Sequence, residues 1–471
     1  MGKPIKFSKY FGVDSKKMDE IGALDIFISF DNPLFIDPFL LSISKEYKGW
    51  YKNIVEYLIF LKINNDNIKG KGAEKAYFSF HEIKETHLGY IQGNSDKGSG
   101  LGPKFVRELR HALKYLEQST DEDIRIEKLT LFTKYVGRDK ISDFITNLVL
   151  SDIAKFTENV CNKGNIVPEK TKNIIIQNCF FDKSKKIRLP KSFKLPIYNG
   201  KYILLMPEVI LTTTDDFLNK KDFNKNLFNH IPQSLQNDEL KFKFNLILKQ
   251  EILTKEEKLT QLLSLVIDNP DIYKTYTEIK EKDSSSALKK NKEEINEHKD
   301  LLAKIPTINS FRKDFNPDKS QNSLEEAYRL IAQFKQKIEE NGLYKTFYKN
   351  DKDIFSEKQI QLLFTLSWGY SKFCVDGEVD NGSGPVDFKV SKGANNTTII
   401  EFKLGSNSRL EHGLTTQSNK YGKTNNTVNI VRVVFCSSNE QIERTEEIIK
   451  THNLKNVIMI DIQKQKSASK I

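Results

Sequence analysis

Cysteine is scarce in this 471-residue chain, and long apolar runs are missing. The four cysteines, Cys161, Cys179, Cys374 and Cys436, lie far apart without paired spacing. They therefore predict neither a zinc site nor a disulfide framework, and a reducing compartment suits them. No apolar run approaches the roughly 20 residues that span a bilayer, and the first residues lack the apolar region of a signal peptide. We expect a cytoplasmic protein that does not enter a membrane.

Acidic residues are fewer than basic ones. The 74 Lys and Arg exceed the 63 Asp and Glu by 11, and the pI is about 9.0. This excess fits a polyanionic partner such as nucleic acid, although the Lys-rich, Asn-rich and Ile-rich usage equally fits AT-rich coding. Apolar content of 38% and aromatic content of 11% predict a folded chain, and its length allows several domains.

Several motifs favour ordinary structure over chemistry. The seven histidines never pair at a metal-ligand or triad spacing. The glycine-rich stretches at residues 69–72 and 97–103 lack the Walker and dinucleotide spacings, so they predict turns rather than a phosphate cradle. The polar run at residues 137–143 predicts a helix start, with Ser142 or Asp143 as the cap.

Four segments follow from the pattern along the chain. Residues 1–165 predict an α+β domain, in which Asp25–Phe30 and Leu34–Phe39 form a hairpin and Lys45–Ile63 a helix. Residues 166–235 are β-rich, and residues 236–350 are mostly helical. Residues 351–471 alternate helices and strands, which makes the whole chain α+β.

The last segment contains the most informative pattern. Val386–Val390 alternates apolar and polar residues as a half-buried strand does, and after a polar hairpin Ile399–Leu404 belongs to a second β-rich run. Asp387 lies in the first strand, and Glu401 and Lys403, two residues apart, share one face of the second. Carboxylates on neighbouring strands can hold a hard cation that bridges to phosphate oxygens.

Asp387, Glu401 and Lys403 form the pattern Asp, 13 residues, Glu-x-Lys, which resembles the core of the PD-(D/E)xK nuclease superfamily. Gln417 to Tyr421 resembles the Gln-x-x-x-Tyr helix motif of its RecB-like members. One departure is that a valine stands between Pro385 and Asp387, where the family has Pro-Asp. We recognise no family motif in the preceding 350 residues.

The resemblance implies a restriction-endonuclease-like αβββαβ core and a metal-dependent chemistry. Asp387, Glu401 and the carbonyl of Phe402 would hold Mg²⁺, with Mn²⁺ as a substitute. Lys403 would orient the attacking water, and Gln417 would contact the site or the nucleic-acid backbone.

A further acid is expected upstream of the family's aspartate. Glu378 is the first candidate and Glu357 the second. Both also have an interpretation as surface charges.

The predicted function is a Mg²⁺-dependent endonuclease that cuts nucleic acid, with DNA preferred, in anti-phage defence or DNA processing. Two alternatives are an RNA-cleaving toxin and an inactive nucleic-acid-binding or assembly module. The N-terminal regions are expected to form a homo-oligomer or to bind a protein partner. The predicted contact surface is the hairpin Phe27–Phe39 with the helix at Trp50, although core packing is an alternative use of these residues.

Overall fold

A computed structural model of the protein describes most of the chain. The described ranges are 5–29, 31–89, 101–116, 124–132, 138–213, 217–218, 220–304, 320–340, 342–349, 352–353, 356–367, 371, 373–380, 385–392, 396–418 and 427–463. Of the glycine-rich stretch at residues 97–103, residues 97–100 lie outside these ranges. Tyr421 also lies outside them. None of the described helices is long and apolar enough to cross a membrane.

The fold is α+β, as predicted, with helices before and around a five-stranded mixed sheet near the C-terminus. The helices are α1 Phe7–Phe11, α2 Ser15–Ile21, α3 Pro38–Ile43, α4 Lys48–Asn64, α5 Lys71–Phe78, α6 Pro103–Leu116, α7 Glu127–Phe132, α8 Arg138–Leu148, α9 Leu150–Lys163, α10 Lys220–Asn229, α11 Ile231–Ser234, α12 Asp238–Lys249, α13 Lys255–Asp268, α14 Asp271–Lys282, α15 Ser284–Lys304, α16 Ser323–Glu339, α17 Glu357–Ser367, α18 Leu410–His412 and α19 Asn439–Thr451. The strands are β1 Phe35–Ile36, β2 Thr171–Asp182, β3 Ile187–Tyr198, β4 Lys201–Tyr202, β5 Leu211–Thr212, β6 Tyr348–Lys349, β7 Lys352–Asp353, β8 Cys374–Asp380, β9 Pro385–Ser391, β10 Thr397–Leu404, β11 Ile430–Cys436 and β12 Val457–Asp461.

The N-terminal core is built from helices and one long β-ribbon. Apolar side chains of α4, α6, α8 and α9 pack together and against β2 and β3. β2 and β3 pair antiparallel over most of their length, and β4 adds a short third strand. The β-rich pattern predicted for residues 166–235 is therefore found in the first part of that segment, whereas α10 and α11 lie in its last part.

The hairpin predicted between Asp25 and Phe39 is wrong. Among the described residues of this segment β1 is the one strand, and it pairs with β5 instead of with the preceding segment. The side chain of Asn32 bonds both the N–H and the carbonyl of Phe27, which replaces strand pairing by a local turn. Asp37 then caps α3 by accepting from two backbone N–H groups, so a helix begins inside the expected second strand.

The contact surface predicted on this segment is also wrong. Phe27, Phe35 and Phe39 are 8%, 1% and 1% exposed, and they lie in the chain's own hydrophobic cores. The cap predicted at Ser142 or Asp143 is corrected too, because α8 begins at Arg138. Ser142 instead accepts a hydrogen bond from the N–H of Ile36 across the core.

A second core lies in the helical region. α10 to α14 bury a cluster of apolar and aromatic side chains, and Phe39 from α3 joins it. The capping box at Thr254 and Glu257 begins α13. The prediction that residues 240–345 are mainly helical is confirmed for the described residues.

The C-terminal sheet has the strand order β12-β11-β10-β9-β8. β8, β9 and β10 run antiparallel, whereas β10, β11 and β12 are parallel. Side chains of α16 and α17 cover one face of the sheet. The other face packs on α18 and the turn after it, together with α19. From α17 onward the element order is the predicted αβββαβ followed by αβ.

Helix α16 belongs to this C-terminal core. Leu330, Ile331 and Phe334 are buried against the strands. Ser323 at its first turn bonds Thr398 at 2.8 Å, and Lys335 donates to the carbonyl of Met459 at 2.7 Å. The core thus begins at α16, before the boundary predicted at residue 350.

Candidate functional site

The site lies where β9 and β10 separate. Their recorded pairing runs from Ser391 with Thr397 to Phe388 with Ile400. One residue beyond the last pair, a side chain replaces the backbone as the acceptor: Oδ2 of Asp387 accepts a hydrogen bond from the N–H of Phe402 at 2.6 Å. A side-chain oxygen therefore satisfies a backbone donor that the fork would otherwise leave unpaired.

Three carboxylates converge on one ammonium group at this fork. The Nζ of Lys403 lies 3.2 Å from Glu401, 3.5 Å from Glu357 and 3.9 Å from Asp387. It also donates to the carbonyl of Phe402 at 2.8 Å. The arrangement places one cation among four oxygen-bearing groups.

Glu401 is the most deeply buried member of the group. Glu401 is 2% exposed to solvent. Its Oε2 bonds Lys403, whereas its Oε1 has no hydrogen-bond partner among the described residues. Arg432 is its in-register neighbour on β11. Because an ionised carboxylate in the interior normally has all its oxygens paired, this free oxygen marks the site as unusual.

Burial and mutual repulsion shift the acids of the site. Burial raises the pKa of Asp387 to about 6, with Glu357 adding to the rise and Lys403 opposing it. Burial, and then the charge of Asp387, hold the pKa of Glu401 well above its usual value. Burial acts to lower the pKa of Lys403, but the three carboxylates outweigh it and raise that pKa. The lysine therefore remains charged, and it is the counter-ion of the acids.

The first turns of α17 supply two of the groups. Glu357 is the first residue of this helix, and Gln361 follows four residues later on the same face. The Nε2 of Gln361 donates to Oδ1 of Asp387 at 2.8 Å. Both oxygens of Asp387 therefore accept hydrogen bonds, which fixes the direction of its carboxylate.

One π-helical turn, Gly413–Gln417, forms the opposite wall. A Cβ at Gly413 would lie 3.3 Å from both Cδ and Cε of Lys403 and 3.8 Å from Oε1 of Gln417. Arg432 holds the turn by donating from Nε to the carbonyl of Leu414 at 2.7 Å. Single π turns recur at functional sites, and here the turn lets the backbone approach the lysine stem.

The structure brings most of the site residues predicted from the sequence together. Asp387, Glu401, Lys403 and the Phe402 carbonyl lie together. Gln417 is the last residue of the π turn whose Gly413 faces the lysine stem. Glu357, the second candidate for the upstream acid, contacts Lys403.

The first candidate, Glu378, lies in β8 between residues paired to Val386 and Phe388. Its side chain is outside the described part of the structure. Sequence reasoning missed Gln361, Gly413 and Arg432. Only the spacing of Gln361 from Glu357 could have signalled one of them.

No group of three His, Cys, Asp or Glu side chains among the described residues is arranged to hold a metal ion. The carboxylates surround Lys403 instead. Their chemistry still fits a hard cation, because all the converging groups other than the lysine are oxygen donors and Oε1 of Glu401 is unpaired.

Two domain families match parts of the chain. Domain of unknown function (DUF8370) matches residues 12–219, which span the N-terminal core. Domain of unknown function (DUF8371) matches residues 323–439, which begin at α16 and include every site residue described above. No curated protein and no solved structure matches the chain.

Proposed function

We propose that the C-terminal domain is a Mg²⁺-dependent nuclease that hydrolyses phosphodiester bonds, with DNA as its substrate. The observation that carries the proposal is the fork between β9 and β10. Asp387, Glu401 and Glu357 converge there on Lys403, and one buried oxygen of Glu401 has no partner among the residues that the structure describes.

Packing alone does not account for this cluster. Burying an ionised carboxylate with an unpaired oxygen costs several kcal/mol by the usual estimates, and an apolar residue would avoid that cost. Titratable groups with strongly shifted pKa values concentrate at functional sites. The raised pKa values of Asp387 and Glu401, together with their geometry, therefore favour a site that receives a cation.

The chain's own residues have separate roles in the proposed reaction. Asp387, Glu401 and the Phe402 carbonyl are the oxygen donors for Mg²⁺, with Glu357 as a further donor. When bound, the ion supplies Lewis-acid activation of the phosphate and of a water molecule. Gln361 positions Asp387 by holding its Oδ1.

Lys403 has a double role in this proposal. Without an ion, its ammonium balances the charge of the carboxylates. With substrate, its four-carbon stem allows the ammonium to turn towards the phosphate, where it stabilises developing negative charge and orients the water. Gly413 leaves room for that stem.

The choice of DNA rests on the resemblance to PD-(D/E)xK nucleases, and the net charge of +11 supports a polyanionic substrate. We further propose that the enzyme acts in the cytoplasm in nucleic-acid defence or processing. The N-terminal region would then restrain or direct the nuclease, alone or with a partner.

The test is to incubate the purified chain with supercoiled, linear and single-stranded DNA and with RNA, with Mg²⁺ or with a chelator. We expect cleavage of DNA that the chelator abolishes and that Asp387→Asn removes. Glu446→Gln, an exposed acid on α19, is the matched control and should cleave normally. Cleavage of RNA alone would change the substrate, and no cleavage of any nucleic acid would contradict the proposal.

A further inference from the structure

A half-open cavity of about 810 Å³ lies at the surface of the N-terminal region and shares no lining residue with the carboxylate cluster. Its walls come from α5, the segment after it, the junction of α8 and α9, and the ribbon of β2 and β3. Known small-ligand sites have volumes of roughly 300–1,000 Å³. The cavity is therefore large enough for a metabolite.

The charge of the lining is one-sided. Lys75, His81 and Arg188 line the cavity, and none of the described residues that line it is acidic. Arg188 forms no ion pair with a carboxylate within the described part of the chain. Its Nη2 donates to the carbonyl of Asn147, and its guanidinium lies 5.9 Å from the ring centroid of Tyr57.

Arg188 is thus a half-buried cation with no carboxylate counter-ion among the described residues. Burial lowers its pKa, and the groups that oppose this shift are Tyr57 and Cys179, which are uncharged at neutral pH. Buried guanidinium groups normally pair with carboxylates or phosphates. An anion entering the cavity would supply the missing partner.

The ribbon is irregular where it faces the cavity. The register between β2 and β3 shifts between Ile176 and Phe180. Within this bulge Asn178 has a φ of 52°, and both Gln177 and Asn178 line the cavity. Bulges commonly redirect side chains next to binding sites, and here they bring two amide groups to the wall.

Two aromatic side chains complete the lining. Tyr77 and Tyr202 both line the cavity. Burial raises the pKa of Tyr202 to about 12, so its phenol stays neutral. Tyrosine faces accept planar rings, and amide groups pair with the edges of nucleobases.

We propose that this cavity binds a nucleotide, with its phosphate held by Arg188 and Lys75 and its base placed against Tyr77 and Tyr202. The same chemistry is offered by a free mononucleotide and by the 5′-phosphorylated end of a nucleic-acid strand. The site is independent of the proposed nuclease centre.

The test is calorimetric titration of the full chain with AMP, adenosine and inorganic phosphate, and with a short DNA strand with or without a 5′-phosphate. AMP or the phosphorylated strand should bind, and the form without phosphate should bind at least about tenfold more weakly. Which of the two binds more tightly identifies the source of the phosphate. Absence of binding by both overturns the proposal, and so does equal binding with and without phosphate.

Two variants locate the site. Lys75→Ala and Arg188→Gln should each weaken binding about tenfold, whereas Lys172→Ala, an exposed lysine of β2 outside the lining, should bind normally. Thermal unfolding reports whether Arg188→Gln remains folded. Since Lys75 is exposed and its loss should not disturb the fold, unchanged affinity in Lys75→Ala overturns the assignment.

Discussion

Glu401 is the residue at which stability and chemistry oppose each other most clearly. It is 2% exposed, one of its oxygens has no partner in the described part of the chain, and its pKa is raised by burial and by Asp387. A group that costs folding free energy is retained when it serves function. Glu401 therefore provides a test that separates the two roles.

Glu401→Gln should keep or raise the free energy of unfolding while it removes cleavage. The amide avoids burying a charge, so we expect a change between zero and about +2 kcal/mol. The cleavage rate should fall by about a hundredfold or more, because a metal donor is lost. Denaturant unfolding and a DNA cleavage assay measure the two effects. A variant that is strongly destabilised would indicate a structural carboxylate instead.

His298 on α15 is a second buried titratable residue, and it gives a pH prediction. Both ring nitrogens lack partners among the described residues, and burial lowers its pKa from 6.5 to about 4. The folded state thus binds its proton less tightly than the unfolded state. Its contribution to stability is present above pH 6.5 and is lost as the pH falls towards 4.

His87 behaves in the same way, with a pKa lowered to about 4 by burial and by Lys201. On going from pH 7 to pH 5, His298→Leu should therefore become more stable relative to the wild type, because the other shifted groups, among them His87 and Asp387, contribute equally to both proteins. Urea unfolding at both pH values checks this. An unchanged slope would mean that His298 is accessible to protons in the folded state.

The sequence was informative about residues whose spacing is itself diagnostic. Asp387, Glu401 and Lys403 were predicted together because strand periodicity and hairpin order bring them to one place, and they do lie together. Gln361 was missed because a glutamine on an amphipathic helix looks like any surface residue. Its partner is 26 positions away, and a tertiary contact of that kind leaves no local signal.

At the scale of elements, the site is an interruption of regular structure on both sides. The ladder between β9 and β10 ends, and Asp387 bonds the exposed N–H of Phe402. Opposite, the helix expected to carry Gln417 has a π turn at Gly413–Gln417. The separation of β9 and β10 forms one side of the site, and the π turn that approaches the side chain of Lys403 forms the other.

Gly413→Ala tests whether that close approach matters. The added Cβ would lie 3.3 Å from Cδ and Cε of Lys403, so the lysine must shift by a few tenths of an ångström. We expect cleavage to fall about tenfold with little loss of stability, because small displacements of catalytic groups are costly. Gly49→Ala in α4, where a Cβ meets nothing within 4 Å, is the control. Equal cleavage rates in wild type and Gly413→Ala would show that the close approach of the π turn to Lys403 does not affect cleavage.

Predictions of elements succeeded where one periodicity ran without interruption. The strands β9, β10 and β11 and the helix α19 lie close to their expected bounds. The N-terminal hairpin failed, because alternation there was overruled by polar side chains that bond the backbone. Asn32 and Asp37 make turns and caps, and a pattern of apolar residues alone does not register such bonds.

At the scale of the whole molecule, three hydrophobic cores share side chains across segments. Phe39 from the N-terminal region enters the helical core, and Phe27 enters the C-terminal core. Ion pairs of Arg125 with Glu281 and of Lys299 with Glu208 also join the N-terminal and helical regions. An N-terminal ligand or partner would act on the C-terminal domain through such contacts.

The position of α16 predicts which fragment folds. A fragment of residues 320–471 keeps Leu330, Ile331, Phe334 and Ile338, whereas one of residues 341–471 loses them. Each buried side chain contributes about 2 kcal/mol, and their sum rivals the 5–15 kcal/mol that stabilises a typical domain. The longer fragment should unfold cooperatively and the shorter one should not, as measured by circular dichroism. A cooperative transition in the shorter fragment would place α16 outside the core.

We propose that Lys403 and the carboxylates around it, at the fork between β9 and β10, catalyse the cleavage of phosphodiester bonds. The most direct test of this proposal is the initial rate of DNA cleavage in Mg²⁺ by wild type, by Lys403→Ala and by Lys392→Ala, an exposed lysine near the end of β9. We expect the initial rate of cleavage to fall by about a hundredfold or more for Lys403→Ala and to stay at the wild-type value for Lys392→Ala. Cleavage by a folded Lys403→Ala at the wild-type rate would contradict the proposal.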